Sequence, residues 1–112
     1  MKLITKPIHI DELKKIADKK FGNLVKAVVD VEKKVMVVDA AMHADEEAYL
    51  IKKGSLQDNV WGINLYPGQE EDFIEFDSII NLRPKLDNLS RAVEDPKLQE
   101  RIKFIVNSLI LR

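Results

Sequence analysis

Cysteine is absent from this chain of 112 residues. Without thiols, the chain cannot form disulfides, thiolate zinc sites, iron–sulfur clusters or a cysteine nucleophile. Proteins of reducing compartments need no disulfides, so the composition agrees with the cytoplasmic location that we expect. The first residues also lack the apolar core and cleavage site of a secretory signal, because Lys6 and Pro7 interrupt the short apolar run there.

Long apolar runs and an excess of one charge are missing as well. No segment approaches the ~18 consecutive apolar residues of a membrane span, so we expect no membrane contact. Lysine and arginine number 18 against 19 aspartates and glutamates, which gives a formal net charge of −1. Only 6% of the residues are aromatic, so the chain lacks both the positive charge and the stacking rings of nucleic-acid-binding proteins. Nucleic acid is therefore a disfavoured partner.

Glycine occurs only four times, and none follows Gly68. The loop that precedes the last predicted helix is therefore neither a P-loop nor a dinucleotide fingerprint, since both need glycine. None of the serines lies in the Gly-x-Ser-x-Gly motif of a nucleophile elbow. The sequence thus carries no established catalytic signature, and whether the protein is an enzyme stays open.

Two helices are predicted by apolar residues that recur at helical spacing. The first runs from about Ile10 to Lys20 and stops at Gly22, because glycine readily takes the left-handed conformation that ends a helix. The last helix begins with Asp95 as its N-cap and Pro96 in its first turn, where the missing N–H costs nothing. Each helix has one apolar stripe and should therefore pack by one face.

Alternating or β-branched runs predict four strands between these helices. They span residues 26–31, 36–40, 60–66 and 73–83. The first two form a hairpin, and in the last two Trp61 and Phe76 fall on an apolar face. The opposite face of the last two strands collects Asn64, Glu75, Asp77, Asn81 and Arg83.

The segment Met42–Lys53 fits two structures. Acidic residues ahead of apolar ones favour a helix that starts near Ala44, whereas the Gly54-Ser55 break favours a strand at 48–52. We favour the strand. The order of elements then predicts a single α+β domain over residues 1–112. Its curved antiparallel sheet should have about four or five strands, with the N-terminal and C-terminal helices packed on one face.

A histidine followed by carboxylates, His43-x-Asp45-Glu46-Glu47, indicates a candidate metal site. Neutral imidazole and carboxylate bind zinc, manganese and iron, so His43, Asp45 and Glu47 are the candidate ligands of a divalent metal. A catalytic metal normally takes three protein ligands, so Asp39 or Asp77 would have to supply one from another strand. Asp77 and His43 are then the candidate catalytic residues. The alternative is a solvated acidic turn or helix start.

The polar strand face and the loop after it form a second candidate site. Asparagine can orient a ligand, and arginine holds phosphate or carboxylate in a forked geometry. The candidate ligand-binding residues are Asn64, Asp77, Asn81, Arg83, Asn88, Ser90 and Arg91. The alternative is a hydrated sheet face beside a loop pinned by salt bridges, and such surface pairs contribute little stability.

Four segments, read together, resemble a known family: HADEEAYLIKKGS, WGINLYP, EFDSIINLRP and SRAVEDP. That family consists of small bacterial and archaeal proteins of unassigned function, and the resemblance extends from the first helix to the last. It implies a compact cytoplasmic domain and brings no activity to this chain. The candidate residues in or beside these segments are His43, Asp45, Glu46, Asn64, Asp77, Asn81, Arg83, Asn88, Ser90 and Arg91.

Three functions remain as hypotheses. The leading one is a binding module that recognises a small anionic ligand or a partner chain through the polar sheet face and the loop Arg83–Arg91, since aspartate, asparagine and arginine cluster there. The second is a metal-dependent hydrolase or nuclease, in which the arginines hold phosphate. The third is a structural or regulatory homodimer without catalysis, formed by exposed strand edges.

Overall fold

The computed structural model describes every residue from 1 to 112 and contains three α-helices and seven β-strands. The helices are α1 (Ile10–Lys19), α2 (His43–Lys52) and α3 (Pro96–Leu109). The strands are β1 (Lys2–Ile4), β2 (Ile8–His9), β3 (Val25–Asp30), β4 (Val35–Val38), β5 (Val60–Leu65), β6 (Ile74–Glu75) and β7 (Ile110–Leu111). Single turns of 3-10 helix lie at Gln57–Asn59, Ile79–Asn81 and Pro84–Leu86.

Five strands form one antiparallel sheet in the order β1-β4-β3-β5-β6. Its central strand is β3, where Val29 lies opposite Met36 of β4 and Trp61 of β5. Strands β2 and β7 form a separate parallel ribbon, with Ile8 opposite Ile110, that ties the start of the chain to its end. The fold is α+β, as the order of the predicted elements indicated.

Helices α1 and α3 pack against the same face of the sheet and confirm the predicted arrangement. Leu13 of α1 and Ile102 of α3 are fully buried in one apolar cluster with Val29 and Ile63 of the sheet. Each such side chain stabilises the fold by roughly 1.5–3 kcal/mol through its removal from water. The N-cap of α3 also forms as predicted, because a carboxylate oxygen of Asp95 accepts the first-turn N–H at 2.9 Å.

Helix α2 covers the other face of the sheet. Leu50 packs there against Val28, Val37 and Val60 and is 1% exposed. The prediction of a strand within Met42–Lys53 is therefore wrong. The helical pattern was hidden because two of the three residues that α2 buries are polar: His43, Glu46 and Leu50.

The predicted strand at 73–83 is wrong beyond Glu75, because the chain there leaves the sheet. In place of a strand, the side-chain amide of Asn81 bonds to both backbone groups of Gly62, at 2.8 Å to its N–H and 2.9 Å to its carbonyl. Those two bonds satisfy the edge of β5 as a neighbouring strand would. Asn81 is therefore buried within the fold and does not face a solvated sheet surface.

Candidate functional site

Three buried side-chain polar atoms have no hydrogen-bond partner in the chain, and two of them belong to α2 or to a residue paired with it. Glu46 belongs to α2, and its Oε1 is one of them. The second is Nη1 of Arg83, a residue that pairs with the α2 residue Glu47, and the third is Oδ1 of Asn64. Buried polar groups are normally paired, so these unpaired atoms direct attention to the surroundings of α2 and to the polar groups on β5.

The guanidinium of Arg83 is held on two sides. Its Nη2 donates to Oε2 of Glu47 at 2.8 Å, and its central carbon lies 4.8 Å from the ring centre of Trp61. The side chain of Arg83 is only 10% exposed. An arginine remains charged in such surroundings, so the ring and the carboxylate keep a cation in a fixed, largely buried position.

A cavity of about 300 Å³ adjoins this arginine. It is lined by Gln57, Asp58, Arg83, Pro84, Lys85 and Leu86. Neither Asp58 nor Lys85 forms a hydrogen bond or an ion pair with another residue, and Nη1 of Arg83 is unpaired. Arg83 therefore brings a fixed cation with incomplete hydrogen bonds to the wall of the cavity, and the group that best complements a guanidinium is a carboxylate or phosphate oxygen.

The backbone that carries Arg83 is fixed by Asn88. The two residues exchange backbone hydrogen bonds of 2.9 and 3.1 Å. The side-chain amide of Asn88 donates to the carbonyls of Asn81, Ser90 and Ala92 at 2.7–3.2 Å. Three of the predicted ligand-binding residues, Asn81, Asn88 and Ser90, therefore use their polar groups to shape the loop, since the Ser90 hydroxyl also accepts a backbone N–H at 3.2 Å.

A second polar cluster lies between β5, β6 and the loop. Asn64 donates to Oε1 of Glu75 at 2.8 Å, and the Tyr66 hydroxyl donates to the same atom at 3.0 Å. Burial, and then the contact with Glu75, raises the pKa of Tyr66. Asp77 pairs with Nε of Arg91 at 2.7 Å, but both side chains are about half exposed, so the pair adds little stability.

His43 and Glu46 lie one helical turn apart on the buried face of α2. Nε2 of His43 is 2.7 Å from the carbonyl of Ile63, and because a carbonyl only accepts, this nitrogen carries the proton. Burial lowers the pKa of His43, whereas burial raises the pKa of Glu46 to about 9. Both groups are therefore uncharged at neutral pH, and Glu46 is a protonated carboxylic acid whose Oε2 accepts the N–H of Ala40 at 3.2 Å.

The candidate metal ligands point in different directions. His43 faces the sheet and Asp45 is exposed beside Met1. Glu47 forms an ion pair with Arg83. The chain contains no group of three or more histidine, aspartate or glutamate side chains placed to hold a metal ion. The divalent metal stays a prediction, and the structure does not bring its proposed ligands together.

Asp77 and Arg91 interact electrostatically with His43, so these candidates do share one region. Arg83 instead lines the cavity with Asp58 and Lys85, and its guanidinium lies against Trp61. Sequence reasoning missed Gln57 and Asp58 as lining residues of the Arg83 cavity. No local signal marked them, because exposed polar residues beside turns are common in any sequence.

The chain belongs to the family described as Protein of unknown function (DUF5674), which matches residues 2–109. This match confirms the resemblance drawn from the four sequence segments. No curated protein matches the chain. No solved structure matches it either. None of the three helices is long and apolar enough to cross a membrane.

Proposed function

We propose that this chain, as a member of a family without an assigned function, is a binding domain that captures a small anionic ligand through Arg83. The observation that carries the proposal is the unpaired Nη1 of a nine-tenths buried arginine beside a cavity of about 300 Å³. A buried charge costs free energy unless its hydrogen bonds are made. A ligand oxygen in the cavity would complete the bonds that Glu47 leaves unmade.

The surroundings of Arg83 favour binding because they fix the guanidinium before a ligand arrives. Trp61 supports one face of the group, and Glu47 holds one of its ends. Most of the side-chain entropy that a flexible arginine loses on binding is therefore already lost on folding. Lys85 adds a second cation to the same cavity, and its exposed side chain has no ion-pair partner.

Trp61 provides a direct test, because it is the only tryptophan of the chain and contacts Arg83. We expect its fluorescence to change saturably when propionate or phosphate is added at constant ionic strength. Arg83→Lys keeps the positive charge but loses the forked N–H donors of the guanidinium, and should weaken binding by about tenfold. Lys85→Gln should weaken binding less.

The matched control is Arg101→Lys, which changes an arginine that lines a different cavity and donates to the carbonyl of Val31. This variant should titrate like the wild type. A wild type that shows no saturable response, or an Arg83→Lys variant that responds with unchanged affinity, would contradict the proposal.

Two further expectations accompany this proposal and stay predictions: a cytoplasmic location and pairing with a second copy of the chain. The three-residue strand β1 at the edge of the sheet supports the second, since one of its edges pairs with no other strand. Light scattering at micromolar concentration would distinguish a monomer from a dimer.

A further inference from the structure

The cavity beside Arg83 carries charges of both signs on two separate segments. Asp58 belongs to the turn Gln57–Asn59 that precedes β5, whereas Arg83 and Lys85 belong to the loop that follows the turn Ile79–Asn81. Asp58 and Lys85 make no ion pair with each other or with any other residue. Each therefore remains available to a ligand.

The charges around the cavity cancel. Glu47 offsets Arg83, with which it pairs, and Asp58 offsets Lys85. A ligand that carries only negative charge would gain from Arg83 and Lys85 but would be repelled by Asp58. A ligand with a carboxylate and an ammonium group would be attracted by both segments.

The size of the cavity limits the ligand. Its volume of about 300 Å³ lies at the lower end of the ~300–1,000 Å³ of small-molecule sites. Pro84 and Leu86 add apolar surface to the lining. These features suit a compact molecule with a short aliphatic part.

We infer that the Arg83 cavity binds a small zwitterion, such as a free aliphatic amino acid. Its carboxylate pairs with the guanidinium of Arg83 and with Lys85, and its ammonium group pairs with Asp58. This inference rests on the proposed function, because it names the class of ligand that the same site takes.

Three ligands that differ by one group test the inference: alanine, propionate and ethylamine, each titrated into the wild type with Trp61 fluorescence as the readout. We expect alanine to bind at least about threefold more tightly than propionate, as one partly exposed ion pair would give. Ethylamine should bind weakest, because it lacks the group that Arg83 recognises.

Asp58→Asn should reduce the affinity for alanine to that for propionate, while the affinity for propionate should be unchanged or higher. Asp58 is exposed and makes no contact that the fold needs, so this variant should fold normally. Asp18→Asn, at an exposed aspartate of another cavity, is the matched control and should leave all three affinities unchanged.

The outcomes separate this inference from the proposal on which it rests. Equal affinities for alanine and propionate, together with no effect of Asp58→Asn, would overturn the inference that the ligand is a zwitterion. The proposed anion site would still stand. A wild type that responds to neither alanine nor propionate would overturn both. Tighter binding of propionate than of alanine would also exclude the zwitterion.

Discussion

Arg83 combines three properties that single surface arginines lack. Its guanidinium lies against the ring of Trp61, it pairs with Glu47 within the chain, and one of its terminal nitrogens has no partner. Cation–π contact and a charge-assisted hydrogen bond each favour one fixed orientation. At the scale of the residue, the site is therefore an oriented cation whose hydrogen bonds within the chain are incomplete.

Gly62 is the residue that lets the loop approach β5. A Cβ atom at this position would lie 2.6 Å from both Cβ and Oγ of Ser78, which is closer than side-chain atoms can pack. We expect Gly62→Ala to lower the free energy of unfolding by about 1–3 kcal/mol, because the loop must move away from the strand. Urea unfolding measures this change.

Gly68→Ala is the matched control, since no atom lies within 4 Å of a Cβ built there. Its stability should stay close to that of the wild type. If both glycine variants unfolded at the same urea concentration, the close packing of Ser78 on β5 would not describe the protein in solution.

At the scale of elements, α2 connects the buried polar groups with the site. One face of the helix carries His43 and Glu46 against the sheet, and its flank presents Glu47 to Arg83. After burial and the hydrogen bond from Ala40, the charges of Lys26, Asp39 and the N-terminal amino group act on the pKa of Glu46, and Lys26 also acts on the pKa of His43. An ionised His43 or Glu46 would be a buried charge without an ion-pair partner, so the packing of α2 on the sheet favours the uncharged forms of both groups.

Glu46 makes the stability of this arrangement depend on pH. Its pKa is raised from 4.5 to about 9, so between these values the folded chain holds a proton that the unfolded chain releases. The free energy of unfolding should then fall as the pH rises from 7 to 9, by up to about 1.4 kcal/mol per pH unit. Glu46→Gln cannot ionise and should be more stable than the wild type at pH 8.5.

Urea unfolding of the wild type and Glu46→Gln at pH 7, 8 and 9 checks this expectation, and His43 is common to both proteins, so its titration cancels in the comparison. Glu100→Gln, at an exposed position of α3, should follow the wild type. Parallel curves for the wild type and Glu46→Gln would show that Glu46 is ionised in the folded chain, and this account of α2 would be wrong.

The sequence predicted the elements that depend on local signals. Helix α3 has a strong N-cap at Asp95 and an uninterrupted apolar stripe, and β5 alternates apolar side chains over its whole length. Helix α2 was missed because a histidine and a glutamate occupy apolar positions of its buried face. The predicted strand extended too far beyond Glu75. Beside Gly62 the side chain of Asn81 takes the place of a paired strand, and the pattern of apolar residues does not reveal this substitution.

The site was predictable only in part. The arginine at position 83 predicted an anionic ligand from the chemistry of its side chain alone. Its contacts with Trp61 and Glu47 join segments 22 and 36 residues away in the sequence, and spacing alone does not reveal such contacts. Asp77 and Asn81, which the alternation placed on one face, both bond to Arg91. Asp77 accepts from the side chain of Arg91, and the side-chain amide of Asn81 donates to the backbone carbonyl of Arg91.

At the scale of the whole molecule, the sheet lies between α1 and α3 on one face and α2 on the other. The ribbon of β2 and β7 holds the two ends of the chain together beside α1 and α3. The cavity lies outside this layered core, between the turn before β5 and the loop that Asn88 fixes. A rigid core with a small site at its margin is an arrangement suited to binding without large conformational change.

A crystal structure of the protein grown in saturating alanine tests the central claim most directly. We predict a ligand carboxylate oxygen within about 3.2 Å of a guanidinium nitrogen of Arg83, with the ammonium group directed towards Asp58. An empty cavity under these conditions, with Nη1 of Arg83 bonded to an oxygen of the protein itself, would contradict the account.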